Sequence, residues 1–554
     1  MLTVTDRYSS EDIAGFYQQG IWLEESFSAL VNRQAAARGA ERFIFDDHVS
    51  LTFEEFRQQS LRLAHGLRSL GVGPGTRVAV QLPNWTEFAV VAAALSRIGG
   101  IVVPIMPIFR DDEVQYVLNH SGAEVVITCD NWKTFSHSEM FTRLRENCPA
   151  ITEILVVRPE IDALPAGLRR FDEIFQTGEL GLLESALGDD TSPDDGFLIV
   201  YTSGTTARPK GCYHTVNTVR ASAIAIAASL NYTADDIQFG PSPITHSTGL
   251  MTSVILPLLV GAQSYLMEQW NPDSAVEKVN EHRCSATVTA TAFLQMYLAV
   301  LDSSDGSDIT LRQWICAGAP VPGAVVERAR HDLPGCQILS LYGRSESFLN
   351  AMCANDDAPE LSATTDGKAR GGAKLQVVDI NGREVERGQV GDIAYKGPSH
   401  MLEYFSDPEQ TEKLFTANGY ARSGDLGYMN EDGYVRVTGR TKDIVIRGGL
   451  NISARELEDL LIDHPSVQEV AVVGMPDQRL GEKVCAYIVP VAGNRTPSLE
   501  DVVVFLRSKK VSTPKLPQRL EVVDAFPVTA TGKIKKHELR DDIASKLQVE
   551  QLSS

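Results

Sequence analysis

A segment rich in glycine and hydroxyl side chains occupies residues 201–211, with the sequence YTSGTTARPKG. It follows a short apolar run, residues 197–201, that is typical of a buried strand. Backbone N–H groups, several hydroxyls and the ammonium of Lys210 can together cradle a polyphosphate. The spacing of Gly204 and Lys210 differs from the GxxxxGK[ST] pattern, and Gly211 follows the lysine. The segment therefore predicts a phosphate-binding loop of a less common kind.

Four further segments carry acids or bases that could act on a nucleotide. In chain order they are YGRSE at 342–346, SGDLG at 423–427, GRTKD at 439–443 and PVTATGK at 527–533. They include the carboxylates of Asp425 and Glu346 and the ammonium of Lys533. Taken singly, each is more typical of a turn or a solvated charge. It is implausible that all of these segments occur together and in this order by chance.

With the phosphate loop, these segments resemble the signature motifs of the adenylate-forming superfamily, which includes acyl-CoA synthetases, firefly luciferases and nonribosomal peptide adenylation domains. The resemblance spans nearly the whole chain. It implies a large α/β N-terminal domain and a small mobile C-terminal α+β domain. It also implies that a carboxylate attacks the α-phosphate of ATP to give acyl-AMP and pyrophosphate, and that coenzyme A then accepts the acyl group. We expect an acid–CoA ligase.

The resemblance also implies roles for the residues that match the motifs. The positions for the β- and γ-phosphates are Thr202, Ser203, Thr205 and Thr206, with Gly204 among the nucleotide-binding residues of the same loop and Lys210 helping to hold the loop. The positions for the rest of the nucleotide are Tyr342 and Gly343 for adenine, Asp425 for the ribose hydroxyls, Arg440 for the ribose or a phosphate, and Ser345 for the α-phosphate. Glu346 would hold Mg²⁺, and Lys533 would stabilise the charge that develops during adenylation. Ala207 stands where the family usually has glycine, and its Cβ is expected to stiffen the loop.

The second half-reaction needs a thiol, and in this family the small domain rotates between the two steps. The resemblance places the hinge at Lys442. It also implies that Arg447, Gly448 and Gly449 line the channel for the pantetheine of coenzyme A, where glycine lets a backbone approach closely.

The acyl pocket is expected around residues 241–250 and 316–320. The resemblance places His246 near the substrate carboxylate, and the other pocket positions are Ala317, Gly318, Ala319 and Leu341. Leu341 stands where glycine is common, and its bulk is expected to shorten or narrow the pocket. We expect a short-to-medium-chain, alicyclic or aromatic monocarboxylate.

Composition limits the partners and the compartment. The chain has 554 residues, and 51 Lys and Arg against 72 Asp and Glu give a net charge of −21. This charge disfavours nucleic acid as a partner. The eight cysteines are scattered without metal-ligand spacing, which is typical of reduced thiols in the cytoplasm. No run is long and apolar enough to predict a membrane span. The resemblance allows a homodimer.

Strands alternate with helices from residue 77 onward, which predicts parallel sheets covered by helices. We place a domain boundary near residue 440, so that residues 1–439 form the AMP-binding domain. Residues 440–554 then form the mobile domain that carries Lys533. Residues 163–195 show the weakest pattern and are expected to be surface loops.

Three other functions fit parts of the pattern. The acyl group could pass to a carrier-protein phosphopantetheine instead of free coenzyme A. A luciferase-type oxygenase would consume O₂ after adenylation, but no residue favours it. A nucleotide sensor without catalysis is disfavoured, because Glu346, Asp425, Arg440 and Lys533 are all retained.

Overall fold

The computed structural model describes residues 1–160, 164–188, 191–202, 208–301, 309–318, 321–529 and 533–552. The strands of this part of the chain are β1 (Arg42–Phe45), β2 (Ser50–Thr52), β3 (Arg77–Gln81), β4 (Ile101–Pro104), β5 (Val125–Cys129), β6 (Asn131–Trp132), β7 (Phe135–Ser136), β8 (Glu153–Val157), β9 (Arg169–Arg170), β10 (Gly196–Tyr201), β11 (Gly211–Thr215), β12 (Ile237–Gly240), β13 (Gln263–Leu266), β14 (Ala286–Ala290), β15 (Gln313–Ala317), β16 (Gln337–Arg344), β17 (Ser347–Met352), β18 (Lys368–Ala369), β19 (Lys374–Val378), β20 (Gly391–Lys396), β21 (Glu403–Tyr404), β22 (Ala421–Met429), β23 (Val435–Arg440), β24 (Ile444–Arg447), β25 (Leu450–Ser453), β26 (Val467–Asp477), β27 (Gly481–Pro490) and β28 (Arg519–Val522).

The α-helices of the same part are α1 (Val4–Arg7), α2 (Ser10–Gln18), α3 (Phe27–Arg38), α4 (Phe53–Ser69), α5 (Thr86–Arg97), α6 (Asp111–Ser121), α7 (His137–Leu144), α8 (Leu180–Leu187), α9 (Val216–Leu230), α10 (Ser247–Leu250), α11 (Leu256–Val260), α12 (Pro272–Glu281), α13 (Thr291–Val300), α14 (Gly323–Asp332), α15 (Glu360–Thr364), α16 (Pro408–Glu412), α17 (Ala454–Leu461), α18 (Leu499–Ser508) and α19 (Lys536–Leu552). A π-helical segment, Met251–Ile255, joins α10 to α11.

Two large sheets form the frame of the N-terminal part. Over the described residues, the first has the order β18-β17-β16-β15-β14-β12-β13-β1-β2, and the second has the order β21-β11-β10-β4-β3-β5-β8-β9. The central strands of each are parallel, and antiparallel strands lie toward their edges. Helix α5 is buried along almost its whole length, as its apolar sequence requires. The prediction of parallel sheets covered by helices is confirmed.

A smaller antiparallel sheet, β19-β20-β22-β23, carries two of the predicted site residues. Asp425 lies in β22, and Arg440 ends β23. The two residues are paired across the strands, so the sheet fixes their separation.

The last sheet contains β25-β24-β27-β26, with β28 paired to β27, and every one of these strands follows residue 443. Helices α17 and α18 pack on one side of it and α19 on the other. This separate sheet supports a boundary near residue 440, which stays a prediction. Among the described helices, none has the length and apolarity needed to cross a membrane.

The expectation of surface loops over residues 163–195 is wrong in part. Helix α8 forms there and packs against α4, where Leu187 is buried and Glu184 forms an ion pair with Arg57 at 3.2 Å. These contacts are made to a distant part of the chain, so the local pattern of the segment could not reveal them.

Candidate active site

The carboxyl ends of three adjacent parallel strands meet at one edge of the first sheet. Strands β14, β15 and β16 are in register, with Ala290 beside Ala317 and Ala317 beside Leu341. The chain then continues into Thr291, Gly318 and Tyr342. Open α/β sheets bind ligands at such an edge. The residues predicted for the acyl pocket and for adenine are thereby brought together.

A cavity of about 350 Å³ opens at this edge and is bounded by both parts of the chain. Tyr342 and Asp425 line it from the N-terminal part, together with Arg440 at the end of β23. Lys533 and His537 line it from the C-terminal part. The structure therefore places the predicted adenine, ribose and catalytic positions around one space.

Asp425 is the centre of a buried network in this cavity. Its Oδ2 accepts hydrogen bonds from the Tyr342 hydroxyl at 2.9 Å and from Arg344 Nη1 at 2.7 Å. Its Oδ1 accepts from Arg440 Nε at 2.8 Å. Although burial favours the neutral acid, Arg344 and Arg440 lower the pKa of Asp425. The carboxylate is therefore held ionised, and Oδ1 retains capacity for a further donor.

Glu346, the predicted Mg²⁺ ligand, is also buried and ionised. Its Oε1 accepts a hydrogen bond from the Tyr404 hydroxyl at 2.6 Å and another from Arg344 at 3.3 Å. Burial opposes its ionisation, but Arg344 and Tyr404 lower the pKa of Glu346. One carboxylate suits Mg²⁺, which is commonly bound by one or two carboxylates together with substrate phosphates. Within the described residues, no group of three or more His, Cys, Asp or Glu side chains could hold a metal ion without such help.

Arg344 is the site residue that sequence reasoning missed. Its guanidinium bridges Asp425 and Glu346, and its Nε is buried without a hydrogen-bond partner. The signal was its place inside YGRSE, between the residues predicted for adenine and for Mg²⁺. A guanidinium fixed between two carboxylates adds positive charge where a phosphate would need it.

Lys533 reaches the cavity from the C-terminal part and lies against Gly318. A Cβ on Gly318 would come within 3.0 Å of Lys533 Cε and 3.3 Å of Nζ, so any other residue there would make the lysine side chain shift. The lysine N–H donates to Thr529 Oγ1 at 3.1 Å, and its carbonyl accepts from the Thr529 N–H at 2.7 Å. Burial and the nearby Arg440 lower the pKa of Lys533 to about 8.

His246 lies beside Lys533 on a second, small cavity of about 30 Å³. The lining residues are Ser242, Pro243, His246, Thr248, Ala290, Phe293, Ala317, Gly318 and Lys533. His246 Nδ1 accepts from the Thr248 N–H at 3.3 Å, so the neutral ring carries its proton on Nε2. Burial and Lys533 lower the pKa of His246 to about 4, which keeps it neutral. Leu341 lines the large cavity and does not line the small one.

The base of the phosphate loop is closed by a pair of hydrogen bonds between its ends. The Thr202 N–H donates to the Lys210 carbonyl at 2.9 Å, and the Lys210 N–H donates to Thr202 Oγ1 at 3.2 Å. Lys210 Nζ donates to Gln410 at 2.9 Å and lies over the Tyr404 ring. The predicted phosphate contacts Ser203, Gly204, Thr205 and Thr206 lie outside the described residues, as do Ala207 and the predicted pocket residue Ala319.

Gly343 and Ser345, in the same YGRSE segment as Tyr342, are positioned mainly through backbone groups. A Cβ on Gly343 would lie 2.0 Å from the Phe348 carbonyl, so only glycine fits there. The Ser345 carbonyl accepts from His214 Nε2 at 2.8 Å, which fixes the turn before Glu346.

The predicted hinge and coenzyme A residues lie apart from one another. The Lys442 carbonyl accepts from Arg540 at 3.1 Å, and partial burial together with Lys210 lowers the pKa of Lys442. Arg447, Gly448 and Gly449 form the turn between β24 and β25 and do not line either cavity. Both glycines have positive φ, at 57° and 85°, which the turn requires. In this arrangement the structure does not bring the predicted coenzyme A residues to Lys533.

Comparison with known proteins gives a consistent picture. Residues 31–405 match the model of the family described as AMP-binding enzyme, and residues 456–533 match the AMP-binding enzyme C-terminal domain. The chain is 34% identical to the medium-chain fatty-acid–CoA ligase of Escherichia coli K12, over 99% of this chain and 95% of that protein. It is 28% identical to the 2,3-dihydroxybenzoate–AMP ligase of Bacillus subtilis 168, over 97% of each. The crystal structure of ATP-bound MatB from Rhodopseudomonas palustris superposes with a TM-score of 0.83 at 26% identity, covering 93% of this chain and 99% of that one.

Proposed function

The chain belongs to the AMP-binding enzyme family and is a ligase of its acyl-CoA synthetase branch, and from this premise we propose that it joins a small monocarboxylate to free coenzyme A through an acyl-AMP intermediate. The observation that carries the proposal is the position of Lys533. Its ammonium enters a cavity otherwise bounded by Tyr342, Asp425 and Arg440. A cation held where negative charge develops on the phosphate is what adenylation requires.

In the first step a carboxylate oxygen of the acid attacks the α-phosphorus of ATP. The new bond is the acyl–phosphate bond, and the bond to the β-phosphate oxygen breaks to release pyrophosphate. Negative charge grows on the oxygens around the α-phosphorus. Lys533 offers positive charge from the wall of the cavity. Arg344 adds a second cation behind Asp425, with which it pairs at 2.7 Å, and Ser345 follows it in the chain. Preorganised cations of this kind lower the barrier because they need no reorganisation.

Asp425 and Tyr342 orient the nucleoside. The ionised Asp425 accepts ribose hydroxyls at its remaining acceptor positions, and the Tyr342 ring stacks on the base. Arg440, paired with Asp425 at 2.8 Å, keeps that carboxylate ionised and adds a cation near the ribose. Glu346 would hold Mg²⁺, which would supply positive charge to the phosphate oxygens of ATP.

In the second step the coenzyme A thiolate attacks the acyl carbonyl, and AMP leaves with the bonding electrons of the acyl–oxygen bond. The domain rotates about Lys442 between the steps, so that the turn at residues 447–449 replaces Lys533 at the cavity. That turn is well suited to a narrow channel, because Gly448 and Gly449 carry no side chain. Its present position outside both cavities is the one that the adenylation step requires.

The acid is small. A cavity of about 30 Å³ has room for roughly two water-sized groups without side-chain movement. Its walls are largely apolar, and Phe293 packs on Trp270 with 4.6 Å between ring centroids. His246 Nε2–H is the neutral donor for the carboxylate. The cavity as it stands fits a short-chain monocarboxylate, whereas a medium-chain, alicyclic or aromatic acid requires the lining side chains to move.

The proposal is tested by incubating the protein with ATP, Mg²⁺ and a panel of monocarboxylic acids, with and without coenzyme A, and identifying the products by mass spectrometry. An acyl-CoA formed with an equal amount of AMP is the expected result. Failure to form either acyl-AMP or acyl-CoA from any acid of the panel would overturn it.

The second candidate is an enzyme that loads a carrier-protein phosphopantetheine. The similarity to a 2,3-dihydroxybenzoate–AMP ligase favours it. So does the turn at residues 447–449, which is flanked by the exposed apolar side chains Ile446 and Leu450. Acyl-AMP that accumulates in the presence of coenzyme A would select this candidate.

A further inference from the structure

One buried carboxylate in the large cavity has no part in the steps above. Asp366 is 3% exposed and lines the cavity with Tyr342 and Val437. Its N–H donates to the Val435 carbonyl at 2.8 Å, and its Oδ2 accepts from the Val437 N–H at 2.8 Å. Strand β23 therefore holds one oxygen of Asp366 and fixes the direction of the other.

Strand β16 relates Asp366 to Tyr342 through Ser340. Ser340 and Tyr342 are two residues apart on this strand, so their side chains project from the same face. Ser340 Oγ lies 3.4 Å from Asp366 Oδ1, whereas the Tyr342 hydroxyl lies 2.9 Å from Asp425. The phenol end of the ring thus marks the ribose position. A base stacked on the ring extends from there into the cavity that Asp366 also lines.

Asp366 Oδ1 has unused acceptor capacity. The hydrogen bond from Ser340 is long, and Arg436 Nη1 lies 3.8 Å from the other oxygen, Oδ2. Burial raises the pKa of Asp366, although Arg436 and the Val437 N–H oppose the rise. A buried acceptor that has only a long hydrogen bond is poorly satisfied, so a ligand that supplies a better donor is favoured.

We propose that Asp366 Oδ1 accepts a hydrogen bond from the exocyclic amine of adenine and so makes the cavity selective for ATP over nucleotides that carry an oxygen at that position. The inference rests on the proposed use of ATP. Adenine presents an amino donor at its C6 position, whereas guanine presents a carbonyl acceptor there. Hypoxanthine, the base of IMP, also has a carbonyl at C6. Two acceptors facing one another repel, and the Ser340 hydroxyl is already directed toward Asp366.

The decisive variant is Asp366→Asn, which is nearly isosteric. Its amide oxygen can keep the hydrogen bond from the Val437 N–H, and its amide nitrogen then points toward the base as a donor. The probes are AMP and IMP, whose bases differ at position 6, and calorimetry measures their dissociation constants without turnover. The wild-type protein should bind AMP more tightly than IMP by about 10- to 100-fold, as a hydrogen bond to a charged group allows. Asp366→Asn should reduce this ratio by about 10-fold or more.

Asp236→Asn serves as the matched control. Asp236 is a buried carboxylate, accepts from Arg312 at 2.6 Å and does not line the cavity. The Asp236→Asn variant should lower the stability of the fold without changing the ratio of the dissociation constants for AMP and IMP. A folded Asp366→Asn protein with the wild-type ratio would overturn the assignment of Asp366. A wild-type protein that binds neither nucleotide and forms no acyl-AMP would instead overturn the proposed function.

Discussion

Gly318 and Lys533 are in contact across the boundary between the two parts of the chain, and a Cβ at position 318 would lie 3.0 Å from Lys533 Cε, so the lysine side chain would have to shift by a few tenths of an ångström. Gly318 follows β15 at the ligand edge of the large sheet, with φ of 81°. Lys533 belongs to the C-terminal part. The contact therefore couples the position of the C-terminal part to the geometry of the proposed adenylation site.

Substituting Gly318 by alanine should impair adenylation. The new Cβ would meet Lys533 at 3.0 Å, and positive φ adds about 1–2 kcal/mol of strain for an L-residue. Gly335→Ala is the control, because Gly335 has φ of 87° and open space around it. Pyrophosphate release measured in both variants should fall only in Gly318→Ala. An equal fall in the two would mean that backbone strain alone is responsible.

Adenylation should depend on pH through Lys533. The pKa of this lysine is lowered to about 8. Its side chain is therefore protonated and positively charged below that pH, and it loses this charge above it. The rate constant kcat/KM for ATP, which reports the free enzyme, should therefore decline as pH rises through about 8. A profile that stays flat to pH 10 would show that the lysine keeps its ordinary basicity.

Removal of Arg344 should destabilise the fold. Arg344→Met leaves Asp425 and Glu346 as buried carboxylates that have lost their shared partner, and such a change costs about 3–5 kcal/mol. Arg328→Met, which breaks an exposed ion pair with Asp332, should cost about 1 kcal/mol or less. Denaturant unfolding measures both free energies. Equal losses of unfolding free energy in the two variants would contradict the claim that Arg344 bridges two buried carboxylates.

The small cavity predicts a change in acid preference on substitution of Phe293. Phe293→Ala removes an apolar wall, so kcat/KM should shift toward longer or bulkier acids. Met296→Ala, on the exposed face of the same helix, should leave the preference unchanged. The two variants are compared over a series of straight-chain acids. An unaltered chain-length profile in Phe293→Ala would place the acyl group elsewhere.

Much of the fold could be predicted from the sequence. The apolar runs before Gly318 and Tyr342 form parallel strands, and such strands carry ligands at their carboxyl ends, so these residues had to meet. Asp425 and Lys533 were found through their motifs, and the structure places both on one cavity.

Arg344 and Asp366 could not be recognised in the same way. The role of Arg344 depends on Asp425, which lies 81 residues away, and the role of Asp366 depends on the neighbouring strand β23. Such contacts between distant segments leave no periodic signal in either one. The acyl pocket is a third case, because Leu341 lines the nucleotide cavity while Phe293, which sequence reasoning did not single out, closes the small one.

The most direct test of the account separates the two half-reactions in Lys533→Ala. We expect acyl-AMP formation from ATP and acid to fall by about 10²-fold or more, as loss of a preorganised donor does in other enzymes. Transfer of the acyl group from supplied acyl-AMP to coenzyme A should remain largely intact, because the turn at residues 447–449 serves that step. Equal loss in both half-reactions would contradict the separate roles of Lys533 and the rotating domain.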